Sequence, residues 1–300
     1  MKTNNASVHV LAMLSMIFWG MSYIWSKVVF EYLGPVETIF IRLIISAITL
    51  TLLLTVTRKW QVIKTTHIPL FLLSSLMNPF LYFLGESFGL QLVTPTISAV
   101  IIATIPVFTP MIAFLILNER LKPLNVMGLI ISIVGVLIIV LDKTSGALGI
   151  SLTGILFLFG AVAAAVVHGI MLKKLTFHYN PVMIISTQNI IGIFYFLPLL
   201  ILMGNDHVSL LQADTRLITN LLLLGVFASS LAFVFYTRTV QEFGIAKASL
   251  YANLIPVFTA VFSFLILKEA LSIQKLSGMA IVIIGVILSE YNFRQKTVNL

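Results

Sequence analysis

The chain has 300 residues, of which 59% are hydrophobic and 9% charged, and its mean hydropathy is +1.10. Soluble domains average about 45–50% apolar and about 25% charged residues, so no single water-soluble core takes up this much apolar surface, and the composition predicts an integral membrane protein. The formal charge of +8 comes from so few ionisable residues that it reads as a cytoplasmic loop bias and not as a nucleic-acid face, and the absence of cysteine excludes disulfides, a thiol nucleophile and a cysteine-ligated metal.

A helix needs about 20 apolar residues to cross a bilayer. In chain order that window predicts spans over 8–30, 35–57, 68–90, 95–118, 122–141, 152–174, 181–203, 216–240, 246–267 and 273–290. The first follows a charged start, as in a signal peptide, but it lacks a small-residue cleavage site and reaches spanning length, so a retained helix is expected. Breaks fall at turn-formers and charge clusters: LGP at 33–35, RKWQVIK at 58–64, DKTSG at 142–146, HYNP at 178–181 and GNDH at 204–207. The expected fold is an all-α integral membrane protein of ten transmembrane helices. The alternating segments of a β-barrel are missing.

With the N-terminus inside, one face collects Lys2, Arg58, Lys59, Lys64, Arg120, Lys122, Lys173, Lys174, Arg238, Lys247, Arg294 and Lys296. The other collects Lys143, Arg216, Lys268 and Lys275. Twelve against four obeys the positive-inside rule and predicts both termini in the cytoplasm.

The stretch IPVFTPMIAFLILNE at 105–119 returns as IPVFTAVFSFLILKE at 255–269, with ten of fifteen positions identical at an offset of 150. Extending the comparison to 98–138 against 248–288 gives sixteen identities, among them Pro106/Pro256, Glu119/Glu269, Gly128/Gly278 and Gly135/Gly285. Five helices per copy is an odd number, so the second copy enters the membrane inverted. The expected organisation is a five-helix repeat over 1–145 and an inverted one over 146–300, the plan of many secondary transporters.

Ionisable groups inside a membrane are costly and usually face the bundle interior. Lys27, Arg42 and Glu86 sit roughly 5–12 Å below the external edge at about 1.5 Å per residue. Glu86 is expected to pair with one cation and leave a positive surplus toward a cavity; the alternatives are a snorkelling Lys27 and a purely structural Arg42–Glu86 tie. At the repeat offset Glu86 corresponds to Tyr236, and Arg42 falls close to Gln188 and Asn189. His168 lies deep in its span and reads either as a proton relay or as a hydrogen-bonded packing residue. Trp19, Tyr23, Asn78, Tyr82, Tyr195 and Asn253 place rings and amides at span centres, suited to an amphipathic or aromatic solute or to plain packing. Gly128, Gly135, Gly278 and Gly285, two turns apart in each copy, read as helix-packing sites. Glu119 and Glu269 read as helix caps or a gate latch in the links. Pro106 and Pro256 each remove a helix hydrogen bond, and so read as hinges or static kinks.

HExxH, Walker A and aspartate-rich motifs are absent, as are an arginine ladder and a TVGYG filter. No enzyme activity, metal, cofactor, nucleic-acid partner or obligatory protein partner is expected. The partners expected are a small-molecule solute and the lipid bilayer, with a proton or ion gradient as the energy source or none at all. FWGMSYIWSK, Arg42, TPTISAVIIATIPVFTPMIAFLILNERL with its G-x6-G, and AKASLYANLIPVFTAVFSFLILKEAL with a second G-x6-G together resemble the drug/metabolite transporter superfamily, in its EamA-type ten-helix permeases. The counterpart of the first tryptophan is missing from AVAAAVVHGIMLKKL. The resemblance implies a plasma (inner) membrane permease and a central cavity with Trp19, Tyr23, Tyr82, Glu86, Ser98, His168, Tyr236 and Asn253 as candidates. It implies export of small metabolites such as amino acids by alternating access. The alternative is an obligate exchanger of phosphorylated or nucleotide-linked solutes, and more remotely an intramembrane enzyme or lipid-binding scaffold.

Overall fold

The computed structural model describes residues 5–108, 123–140, 151–203 and 214–290. Glu119, the loops at 142–146 and 204–207, and the cations Lys2, Arg120, Lys122, Lys143, Arg294 and Lys296 lie outside them. The described chain consists of helices joined by short links, with no strand among these residues. Its segments are α1 (Asn5–Val29), α2 (Pro35–Thr57), α3 (Thr65–Leu92), α4 (Pro95–Phe108), α5 (Pro123–Val140), α6 (Leu152–Thr176), α7 (Pro181–Met203), α8 (Thr215–Phe243), α9 (245–267) and α10 (Ile273–Glu290). Six of them, α1, α2, α3, α6, α7 and α8, are each long and apolar enough to cross a membrane. The molecule is a multi-pass membrane protein.

Local chemistry sets the helix starts. α2, α4, α5 and α7 open on a proline, whose missing N–H is unpaired in a first turn anyway. Thr94, Ser151 and Asp214 cap α4, α6 and α8 by accepting the amides of Ile97, Gly154 and Leu217, and Asn180 Oδ1 caps α7 through Met183 N at 2.9 Å. α2 ends on Arg58 and α9 on Lys268, both in the left-handed region at φ 51° and 57°.

Three helices are not regular. A wide π-type turn interrupts α3 at Leu76–Leu81, where Asn78 is non-helical at φ −146°, ψ 120°. A second interrupts α8 at Leu224–Leu231, close to the position reached from the first by the offset of 150, and a third closes α9 at Ser263–Leu267. The breaks ahead of the two prolines also correspond. α4 loses its helix at Ala103 and Thr104 and resumes at Ile105, while α9 passes through a 3-10 turn at Tyr251–Leu254 and resumes at Ile255.

Packing respects the same exchange. α3 lies on α6 as α8 lies on α1, α1 on α9 as α6 on α4, and α2 on α8 as α7 on α3. α2–α7, α4–α9 and α5–α10 meet their own counterparts. A Cβ built on Gly135 would stand 2.7 Å from Val282 N and 2.8 Å from Gly278 O, so the α5–α10 crossing has backbone on backbone and no room for a side chain there. One end of the bundle holds Lys27 and the α9–α10 link; at the other, His9 of α1 hydrogen-bonds Tyr251 and rests on Phe243.

Candidate functional site: an aromatic cavity with one carboxylate

Among the α1, α3, α4, α6, α8 and α9 segments lies a cavity of about 80 Å³, several times the roughly 10–15 Å³ that one water requires. Seven residues singled out from the sequence line it: Trp19, Tyr23, Asn78, Tyr82, Glu86, His168 and Tyr236. Leu172 and Ile245 also line it, which carries it toward the His9 end. Several lining positions correspond at the offset of 150: Glu86 with Tyr236, Ile102 with Ala252, and Ile105 with Ile255.

Glu86 is the chemical centre. Tyr82, one turn earlier on α3, donates its hydroxyl to Glu86 Oε1 at 2.8 Å, and Tyr23 of α1 hydrogen-bonds the same carboxylate. A regular helix puts residues four apart on one face, so the stretch of α3 after the Asn78 break presents phenol and carboxylate together. Trp19 packs against Phe233 at 4.9 Å and Tyr236 at 5.1 Å between centroids, and its indole Nε1 is buried without a partner among the described residues. His168 receives Gln188 Nε2 at 3.2 Å, while the same amide nitrogen donates to Ser74 Oγ at 2.7 Å. That link ties α6 to α7 and α3.

The expected pairing of Glu86 with a cation does not form: no ion pair of Glu86 occurs within 4 Å among the described residues. Arg42 turns the other way, its Nε donating to Ser229 Oγ at 2.7 Å and its guanidinium lying 4.2 Å over the Phe83 ring. Around it Ser46 bonds Ser230 at 2.7 Å, and Asn189 Nδ2 donates to Ser46 Oγ at 2.7 Å and to Ser229 O at 3.2 Å. Arg42 and Asn189 therefore belong to a buried polar junction of α2, α7 and α8, and Gln188 stands behind His168. Lys27 reaches the Gln91 carbonyl at 3.5 Å. Neither cation lines the cavity, so the positive surplus invoked for phosphorylated solutes is not present there.

Ser98 and Asn253 are buried near the cavity helices without lining it, and Ser98 Oγ and Asn253 Oδ1 have no partner among the described residues. Tyr195 donates outside the cavity, to Leu72 O at 3.2 Å. Glu269 does not cap α10, whose first turn is capped by Ser272 Oγ accepting Lys275 N. Its carboxylate accepts from Thr96 and Ser263 instead. Lys275 is a buried first-turn residue of α10, 1% exposed, and not a loop cation. Sequence reasoning missed Phe233 as a cavity wall. Its counterpart at the repeat offset is Phe83, and the two rings meet at 6.0 Å, so the offset itself was the signal.

A multi-pass helical bundle around a buried, mostly apolar cavity with one charged wall is the site of a membrane transporter. Two stretches, 6–141 and 152–291, match the EamA-like transporter family, and the chain belongs to it. It is similar to an uncharacterized transporter of Archaeoglobus fulgidus, 23% identical across 92% of this chain and 96% of that one. It is also similar to the uncharacterized transporter YvbV of Bacillus subtilis, 26% identical across 91% and 88%. A solved crystal structure shares the fold with a TM-score of 0.69 at 12% identity, covering 94% of this chain and 98% of the other.

Proposed function

We propose that the protein is a secondary-active or facilitative permease of the plasma (inner) membrane that exports small metabolites such as amino acids by alternating access. In this reading ten helices span the membrane with both termini cytoplasmic, as inverted five-helix repeats over 1–145 and 146–300. The observation that carries it is the position of the cavity: lining residues from both halves correspond at the offset of 150, so the solute site lies on the axis that exchanges the halves. Rocking about such a site opens it to one side and then the other. The breaks ahead of Pro106 and Pro256 sit at cavity positions in both halves and serve as the hinges.

Purified protein in proteoliposomes, offered a metabolite library with and without an imposed pH gradient, tests this. Movement of a solute is expected, and its response to the gradient separates coupled from facilitated transport. Single cysteines at Lys59 and Thr144, introduced into this thiol-free chain, are expected to label from opposite sides; labelling from the same side overturns the topology.

A further inference from the structure

We infer that the cavity selects small organic amines in their cationic form, with the ammonium on Glu86 and the apolar body inside the aromatic walls. This rests on the transport reading of the same cavity and specifies its solute.

The charge on the wall is of one sign. Glu86 is the carboxylate of the described lining, and no lysine or arginine lies beside it there. A carboxylate offers about four acceptor positions. Tyr82 and Tyr23 occupy two, which leaves room for the N–H donors of a solute. Arg42 attracts Glu86 from outside the cavity without forming an ion pair within 4 Å. Its guanidinium is committed to Ser229 and Phe83, so it offsets the carboxylate without occupying the space an ammonium would take.

The remaining walls have the same preference. Trp19, Tyr23, Tyr82, Phe233 and Tyr236 line the same cavity as the carboxylate. Trp19 meets Phe233 at 68° and Tyr236 at 56°, so the rings form walls of different orientation and not a stack. Aromatic faces carry negative potential and attract a cation within about 6 Å of the centroid; an anion there meets the same faces with repulsion. The indole N–H of Trp19, buried without a partner among the described residues, gives a second anchor, for an oxygen on the solute. The volume of about 80 Å³ restricts the solute to a small one.

The test uses three probes with one small body and three charges: n-propylamine, 1-propanol and butyrate. Equilibrium binding to the purified, lipid-reconstituted full chain is expected to favour the amine over the alcohol by about tenfold or more, with the carboxylate weakest. Glu86→Gln is expected to bring the amine to the level of the alcohol, and Glu86→Asp to retain part of the preference. If Glu86→Gln does not fold, Glu86→Asp and Tyr236→Leu carry the test, each lowering the ratio of amine to alcohol. Equal binding of the three probes, tighter binding of the carboxylate, or an amine preference that survives the substitutions overturns the inference. Labelled n-propylamine and the metabolite library, followed in proteoliposomes, separate the two readings. Selective binding with no movement of any solute refutes transport and leaves the amine site standing. Movement of other solutes with no amine preference in binding refutes the amine class and leaves transport standing.

Discussion

Lys275 is buried with its ammonium 3.4 Å from Glu269, a carboxylate that also holds Thr96 of α4 at 2.9 Å and Ser263 of α9 at 2.5 Å. Lys27 of α1 stands near enough to feel the same charge. One carboxylate thus joins α4, α9 and α10 at the Lys27 end of the bundle. Removing one partner of a buried pair strands the other and costs about 3–5 kcal/mol, whereas replacing both with apolar groups is often neutral. Glu269→Ala is expected to lower thermal stability by that order, and Glu269→Leu with Lys275→Met to recover most of it. Thermal unfolding in one detergent checks both, and recovery that fails shows the cluster stabilises through Thr96 and Ser263 alone.

The junction at Arg42 makes a smaller prediction. Asn189 bridges Ser46 and the Ser229 carbonyl, so Asn189→Ala removes two buried interhelical hydrogen bonds. Interhelical hydrogen bonds inside membranes average about 0.6 kcal/mol and reach about 1.7; a loss of about 1 kcal/mol is expected in reversible unfolding. A cost near zero means that the serines re-pair among themselves.

Two glycines give a contrast within one experiment. Gly135→Ala puts a methyl 2.7 Å from the Val282 amide nitrogen, while a Cβ on Gly160 meets nothing within 4 Å. Alanine is favoured over glycine in a helix by about 0.8–1 kcal/mol. Gly160→Ala is expected to be neutral or stabilising and Gly135→Ala destabilising, read as opposite shifts in midpoint temperature.

The cap of α8 carries a pH dependence. The Leu217 amide, then the Tyr32 hydroxyl at 2.9 Å, hold the Asp214 carboxyl below the usual carboxylate range. A depressed folded pKa means the contribution is complete above the unfolded value near 3.9 and is lost as pH falls through the folded one. Wild type is expected to lose this contribution only below about pH 4, and Asp214→Asn, which retains an oxygen for Leu217, to show a shallower acid limb. Identical acid limbs in the two proteins overturn the assignment.

The helix segments and the cavity residues Glu86, Tyr82 and Trp19 were legible because an apolar run of fixed length and a polar group inside it each leave a physical signature. Depth along the membrane normal followed from counting residues, and by that measure Lys27, Arg42 and Glu86 looked like neighbours. Counting does not give the direction around the helix. Arg42 faces α8 while Glu86 faces α1 and the cavity, so the pair expected from depth is not formed. Lys275 was misread for a related reason: near a helix start, sequence alone does not distinguish a link that turns outward from a first turn that folds its lysine back onto Glu269.

The correspondence of Glu86 with Tyr236 also concerns descent. A chain that carries the same scaffold twice has two copies of each wall address, and here one copy holds a carboxylate and the other a phenol. On the transport reading each address can change alone while its twin keeps the helix packing, so a single substitution at either one is expected to shift the solute range without rebuilding the bundle. The second copy is then a spare lock face, and on that reading the difference between the two faces is where solute choice is set.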